Sequence, residues 1–388
     1  MSRKSYALVS FLIIAIVLAS LFFFTDAGSF LSGLMADRFQ RELNENPDII
    51  YRHYYEGLNE NEKLAYINIY NKIGNFPERI EIPQLTEAEL DRVFKAIIYD
   101  NPDLIYIGNT CQMLAVSGRF YFLPLYSMNR DEARQKTEQL KQKVNEIVAS
   151  MPAGLDEFSK ELYLHDYLVT NSVYTDKAGT DTAYSALING EAICSGYANA
   201  MQLLLSKAGI KSTVITGIAT DEKGERQSHM WNIVYIDGRP YHLDATWNDP
   251  APDNKGAVRH LYFNVDDSTI AVSHSDFNIS IPCNDIADNY HKRLGQFFDR
   301  YDDGTKARIT LRLTENIKNG NSATELRFEN QEAFSKAVSN LLNKGEIYDI
   351  LKTVNNENGI NISTSTVKYT LNERLLVIVI FTDNQTAA

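Results

Sequence analysis

The sequence predicts an α+β fold, and three observations carry that expectation. After Cys194, apolar residues fall at Tyr197, Met201, Leu204, Leu205 and Ala208, the spacing of an amphipathic helix that opens on the cysteine, and Gly209 suits the position just past its end. Two β-rich runs, Ser228 to Ile236 and Arg239 to Trp247, flank Asp237-Gly238, which is a strong hairpin signal. Beyond Tyr290, strand-like and helix-like segments mix again, so no long stretch is purely of one kind.

In chain order, Arg3 and Lys4 precede an uncharged, mainly apolar run from about Tyr6 to Phe24. The run is near the length that spans a bilayer, and the flanking charges place the N-terminus inside and the body outside. The expectation is a single-pass protein of the cell membrane with an extracytoplasmic body. A cleaved signal and a secreted body are the alternative, for which Thr25-Asp26-Ala27 is a mediocre cleavage site. Residues from about 28 to 45 read as a polar spacer. Asn61 to Lys72 has helical spacing with Leu64, Tyr66, Ile67 and Tyr70 inward. Thr86-x-x-Glu89 is a capping box ahead of Leu90, Val93, Phe94, Ile97 and Ile98, and Asn101-Pro102 ends that helix. Leu104 to Ile107 and Arg119 to Leu123 read as short strands. Asp131 to Ser150 and Leu155 to Thr170 read as charged and amphipathic helices.

In the last part, Ile309 to Leu313 and Thr324 to Phe328 read as strands. Gln331 to Leu342 and Ile347 to Val354 read as helices, and Val367 to Leu371 with Leu375 to Phe381 as a closing hairpin. The expected organisation is an anchor or signal at 1–27, a mixed, mainly helical region at 28–150, a core that holds the chemistry at 151–290, and a small α+β accessory domain at 291–388. No Cys or His follows His291, so no catalysis is placed in that last part.

The chain has 388 residues, with 38 Lys plus Arg against 50 Asp plus Glu and a formal net charge of -12. An acidic chain with no basic stripe repels phosphate backbones, which argues against nucleic acid as a partner. Three cysteines, Cys111, Cys194 and Cys283, leave at least one unpaired thiol, and no C-x-x-C pair suggests a thiolate zinc site. Cys111 and Cys283 read as small buried hydrophobes, although a disulfide between them is conceivable.

A cysteine in the first turn of a helix sits against free N–H groups and the positive end of the helix dipole. Both stabilise a thiolate, and the same N–H groups can hold the oxyanion formed when a thiolate attacks an amide. The plainer alternative is a cysteine packed at a helix start. The hairpin supplies the rest. If its loop holds an even number of residues, positions whose numbers sum to an odd value share a face, and 229 plus 244 is odd. His229 and Asp244 would then be opposite or diagonal neighbours. A carboxylate beside an imidazole sets its tautomer and stabilises the imidazolium, and an imidazole beside a thiol completes an activated nucleophile.

His242 shares that face, so His229, His242 and Asp244 would also make a two-His-one-carboxylate metal site, at the cost of leaving the Cys194 helix unexplained. The preferred reading of His242 is a core-edge histidine bonded to backbone. His53, His165, His260, His274 and His291 read as structural, and Asp166 is not expected to face its helical neighbour His165. Trp231 and Trp247 read first as packing and second as walls of a cleft.

Gly190 through Ala198, His229-Met230-Trp231-Asn232 and Tyr241 through Asp249 resemble the transglutaminase-like superfamily, in particular its bacterial members. Leu164-His165-Asp166-Tyr167-Leu168, followed by Asn171 and Tyr174, is similar to the helix ahead of that family's core. The likeness covers roughly 155 to 275. It implies a papain-like core with the nucleophile helix packed on an antiparallel sheet, and acyl transfer through a thioester. Cys194 takes the nucleophile's place, His229 the general base's and Asp244 the orienting carboxylate's. No acidic loop with calcium-ligand spacing is present, so neither metal nor cofactor is expected. The expected partners are the membrane, through the N-terminal segment, and a protein or peptide substrate, with the cell envelope one source of it. The competing class is a membrane-anchored scaffold or binding module that keeps the fold without turnover.

Overall fold

The structure is a computed structural model that describes residues 49–249, 258–321, 323–359, 362 and 367–382. The expected membrane segment and the spacer at 28–45 lie outside these residues. Among the described residues, no helix is long and apolar enough to cross a membrane. The chain forms two compact units, residues 1–139 and 140–388.

The first unit contains α1 (His53–Glu56), α2 (Glu60–Ile73), β1 (Ile80–Ile82), α3 (Glu87–Asp100), β2 (Ile107–Val116) and β3 (Arg119–Tyr126). Helix α3 starts where its capping box predicts: Glu89 N–H donates to Thr86 Oγ1 at 3.3 Å and Thr86 N–H to Glu89 Oε2 at 2.8 Å. Tyr66, Ile69 and Ile73 of α2 share a core with Val93, Phe94 and Ile97 of α3 and Phe122 of β3. The strands form an antiparallel sheet in the order β1-β3-β2. Leu104 to Ile107, expected to be a strand, is instead a turn. Leu104 N–H bonds Asn101 O and Ile107 N–H bonds Leu104 O, so the strand starts only at Ile107. Burial of Ile105 and Tyr106 in this turn imitates a strand's apolar run.

Helix α4 (Arg130–Ala149) crosses the boundary in sequence. The second unit continues with α5 (Glu157–Asn171), β4 (Val173–Tyr174), β5 (Glu191–Ala192), α6 (Cys194–Lys207), β6 (Ser212–Thr220), β7 (Arg226–Ile236), β8 (Arg239–Leu243), α7 (Asp267–Ile270) and β9 (His274–Ser275). The order β8-β7-β6-β9 makes an antiparallel sheet, and α6 packs on β6 and β7. This is an α+β fold with a papain-like core. Its helix buries Tyr197, Met201, Leu204 and Leu205. It ends as Gly209 predicts: Gly209 takes a φ of 82°, and Ile210 N–H reaches back to Leu205 O.

The chain then forms α8 (Tyr290–Arg293), β10 (Phe297–Phe298), α9 (Asp303–Lys318), β11 (Ala323–Phe328), α10 (Gln331–Ala337), α11 (Glu346–Asn358), β12 (Lys368–Asn372) and β13 (Val377–Phe381). Its sheet runs β10-β11-β13-β12. Strand β13 is buried on both faces. Ile378 and Ile380 join a core with Ile309, Leu313 and Leu351, while Val377 and Val379 join Ile215, Trp231 and Ile233 of the β8-β7-β6-β9 sheet. That double burial explains its unbroken apolar sequence.

Ile309 to Leu313, expected to be a strand, lies inside helix α9. The alternation of Ile309, Leu311 and Leu313 imitates period two, yet Leu311 is exposed and the buried residues are Ile309, Leu313 and Ile317, one every four. The threonines are accommodated by donating to carbonyls one turn back, Thr310 to Lys306 O at 2.9 Å and Thr314 to Thr310 O at 2.8 Å.

Gly217 of β6 sits opposite His229, and a Cβ there would lie 2.5 Å from Ser275 O and 2.9 Å from the Trp231 ring. Two neighbouring strands therefore close over a missing side chain. Gly217→Ala is expected to cost about 1–3 kcal/mol by overpacking, read from urea unfolding. Unchanged stability would show that the strands do not approach this closely.

Candidate active site

Cys194 is the first residue of α6, and its placement begins in the preceding segment. Val173 N–H bonds Gly190 O, Thr175 N–H bonds Ala192 O and Ile193 N–H bonds Thr180 O, each at 2.9 Å. Gly196 lets this segment close on the helix, because a Cβ there would lie 2.7 Å from Thr180 O. Ile193 is the N-cap residue and offers no side-chain acceptor, so no side chain caps the first-turn N–H groups beside the sulfur.

The hairpin between β7 and β8 pairs Ile236 with Arg239, so its loop is the two residues Asp237 and Gly238, both at positive φ. The parity condition holds. His229 Nε2 lies 2.7 Å from Asp244 Oδ2, and both side chains are buried. A carboxylate only accepts, so Nε2 carries the proton of this bond and Nδ1 is left for the Cys194 side chain, with which His229 is also hydrogen-bonded. Helix and hairpin thus bring Cys194, His229 and Asp244 together. Asn232 Nδ2 donates to Ala198 O at 3.0 Å, which ties β7 to α6 directly behind the site.

Asp244 is held on both oxygens. Oδ1 accepts Thr246 N–H at 3.0 Å and Trp247 N–H at 3.1 Å. Oδ2 accepts His229 and, at 3.1 Å, His274 Nε2. Burial pushes its carboxyl up, but the two histidines outweigh burial and hold it well below the usual carboxylate range. Burial pushes His229 down, and Asp244 together with Cys194 outweighs it, so the imidazole is raised to about 10. Trp231 stacks at 5.9 Å and 20° to the His229 ring, and Trp247 lies at 5.9 Å.

His242 differs from its expected backbone bonding. Its Nδ1 accepts Trp231 Nε1–H at 3.0 Å and its Nε2 faces Asp267 Oδ1 at 2.9 Å. The hairpin puts it diagonal to Trp231, and the indole N–H takes its free lone pair. This also removes it from the metal reading with His229 and Asp244. His165 and Asp166 do face each other, against expectation: Nδ1 lies 2.9 Å from Oδ1. Successive helical residues point about 100° apart, but Nδ1 lies close to its own backbone and reaches a neighbour's short carboxylate. His260 Nε2 shares that oxygen at 2.8 Å. No periodic pattern in the sequence marks these contacts or His274, which comes from a strand of two residues.

Three clusters, His165/Asp166/His260, His229/Asp244/His274 and His242/Asp267/Cys283, have donor atoms close enough for a metal ion. Their hydrogen bonds oppose one. Trp231 leaves the His242 proton on Nε2. The Asn248 amide bonds Tyr262 N–H through its oxygen and so turns its NH₂ to His165 Nε2, which leaves that proton on Nδ1. In the second cluster both Nε2 atoms donate to Asp244. A metal would have to displace these protons. Cys111 and Cys283 are free thiols; burial raises them to about 11 and about 12, which suits packing rather than reaction.

Fold and side chains together define a papain-like domain with a cysteine, a histidine and an aspartate in contact. Residues 142–245 match the profile of the transglutaminase-like superfamily. Similar solved structures include a TGase at 14% identity and TM-score 0.26, covering 45% of this chain and 52% of that one. A candidate cysteine protease from Cytophaga hutchinsonii matches at 14% identity and TM-score 0.24, covering 45% and 76%. The periplasmic domain of TgpA from Pseudomonas aeruginosa, bound to ethylmercury, matches at 17% identity and TM-score 0.23, covering 34% and 57%. The chain thus spans about half the length of the TGase structure. No curated protein matches it.

The histidine makes stability depend on pH. Its folded value lies above its ordinary 6.5, so its contribution is complete below that value and is lost as pH rises towards about 10. Asp244 works in the opposite sense and is lost only in strong acid. The melting temperature of the intact protein is expected to fall between pH 6.5 and about 10 more steeply than that of His229→Gln. Parallel curves would contradict the raised value.

Proposed function

We propose that this protein is a cysteine-dependent acyl-transfer enzyme acting on protein or peptide amides. One observation carries the proposal: the His229 ring, bonded through Nε2 to Asp244 at 2.7 Å, also interacts with the Cys194 side chain. His229, raised to about 10, already holds the proton given up by Cys194 Sγ as the sulfur attacks the amide carbonyl carbon. The tetrahedral oxyanion faces the first-turn N–H groups of α6. The C–N bond breaks, His229 gives the proton to the departing amine, and a thioester remains. An incoming amine or water, deprotonated by His229, attacks the thioester and releases the sulfur. Asp244 stays ionised and keeps Nδ1 aimed at the sulfur.

A cavity of about 550 Å³ lies beside these residues, lined by Tyr174, Gln227, Thr246, Trp247 and Tyr262. Burial, and next the Cys194 sulfur, raise the hydroxyl of the half-exposed Tyr174. The cavity is the natural seat for an acyl donor. Whether the product is a cross-link or an acid depends on which nucleophile enters it. The Arg3-Lys4 charges and the apolar run after them favour a body outside the cytoplasm, with substrates in the cell envelope.

Incubation with a glutamine-containing peptide, with and without a primary amine, is expected to give amine incorporation, ammonia loss or backbone cleavage by mass spectrometry. Cys194→Ala is expected to abolish the product, and His229→Ala to lower the rate by about 10³-fold or more. Turnover that survives in Cys194→Ala would sink the proposal. A thiol-directed acyl probe that never labels Cys194 would favour a scaffold that keeps the fold.

A further inference from the structure

We infer that His274 is a positioning residue for this site: its N–H shares Asp244 Oδ2 with His229 and holds the carboxylate in the one orientation that aims His229 at Cys194. The inference rests on the acyl-transfer reading above and adds a fourth side chain to it.

One hydrogen-bonded chain runs from Tyr262 through Ser273 and His274 to Asp244. Asp244 Oδ2 only accepts, so His274 Nε2, 3.1 Å away, carries a proton. In the neutral imidazole its Nδ1 accepts from Ser273 Oγ at 2.8 Å, which leaves Ser273 Oγ to accept from Tyr262 OH at 3.0 Å. All donors point towards Asp244: Tyr262 to Ser273, Ser273 to His274, His274 to the carboxylate. The His274 side chain is fully buried, with Trp231 and Trp247 each 4.8 Å from its ring. A ring so enclosed does not rotate to another partner.

Its position follows from β6. Gly217 and Ala219 lie on one face of that strand, opposite His229 and His274 respectively. Two small residues leave space for two rings from flanking strands, whose centroids lie 5.4 Å apart. The charged and titratable groups around Asp244 are His229 from β7, His274 from β9 and Tyr262 from the loop after β8, with Cys194 of α6 beyond His229. His242 of β8 lies next to His274, and Arg327 and Arg374 act on Tyr262.

The second donor has a chemical consequence. A carboxylate that receives one more N–H is less basic, so it pulls less on the His229 imidazolium. The imidazolium remains acid enough to return its proton to the departing amine. Without His274, Asp244 would keep three of its four N–H partners and would hold His229 protonated to higher pH.

The test uses the full chain and two readouts. Histidine ¹⁵N spectra at about pH 8 should show the His274 proton on Nε2, and the His229 Nε2–H signal should move in His274→Phe. With the glutamine peptide, His274→Phe should lower kcat about tenfold, leave KM within about twofold, and shift the alkaline limb of the rate profile upward. His274→Gln, which keeps an N–H near the Nε2 position, should restore kcat to within about threefold. Ser273→Ala, a gentler change, should move the limb in the same direction should His274→Phe fail to fold. The inference is overturned if the proton resides on Nδ1, or if the His229 signal and the alkaline limb stay in place in the folded variants. Absence of turnover in the intact protein would defeat the acyl-transfer reading alone, since the spectra still decide the contact between His274 and Asp244.

Discussion

Everything at this site depends on one buried carboxylate. Asp244 is removed from water, and an unpaired charge there would be prohibitively expensive. The chain satisfies it with four N–H groups from three directions: Thr246 and Trp247 in its own turn, His229 from β7 and His274 from β9. The cost of burial is thereby converted into geometry. The carboxylate has one orientation, the imidazole beside it has one tautomer, and the remaining nitrogen meets the sulfur.

The sheet is arranged around that requirement. A two-residue loop sets the parity that puts His229 and Asp244 on one face, and Gly217 and Ala219 open the space that the rings fill. The second polar cluster works in the same manner further out. Asp166 gathers His165 and His260, and Glu325 of β11 accepts His260 N–H at 3.1 Å and His291 Nε2 at 2.9 Å. Asn248 links the two clusters, because its side chain contacts His165 while its backbone N–H bonds Asp244 O.

Local rules made part of this legible in advance. Periodicity after Cys194 announces the helix and its end, and Asp237-Gly238 announces the hairpin, so spacing places His229 beside Asp244 once the loop is even, while the meeting of sulfur and ring rests on the resemblance to the transglutaminase-like superfamily. What escaped was either too short or too long-range for a pattern. His274 belongs to a strand of two residues whose pairing with Ala219 has no periodic trace. His165 and Asp166 violate a rule about Cβ directions because the imidazole nitrogen reaches further than its Cβ suggests. Helix α9 imitates a strand because Ile309, Leu311 and Leu313 alternate by accident, and only Ile317, four residues on, reveals which of them are buried.

Strand β13 has a consequence for how the molecule comes into being. Val377 and Val379 complete the apolar layer against Trp231 and Ile233, beneath the strand that carries His229. During synthesis, the strands bearing the imidazole emerge more than a hundred residues before that layer can be finished. Until it is, the aromatic floor of the site stays wet and its rings are free to wander. The packing around the His229 ring is therefore complete only after the last strand of the chain has docked, so the floor of this cluster is set by the order of synthesis.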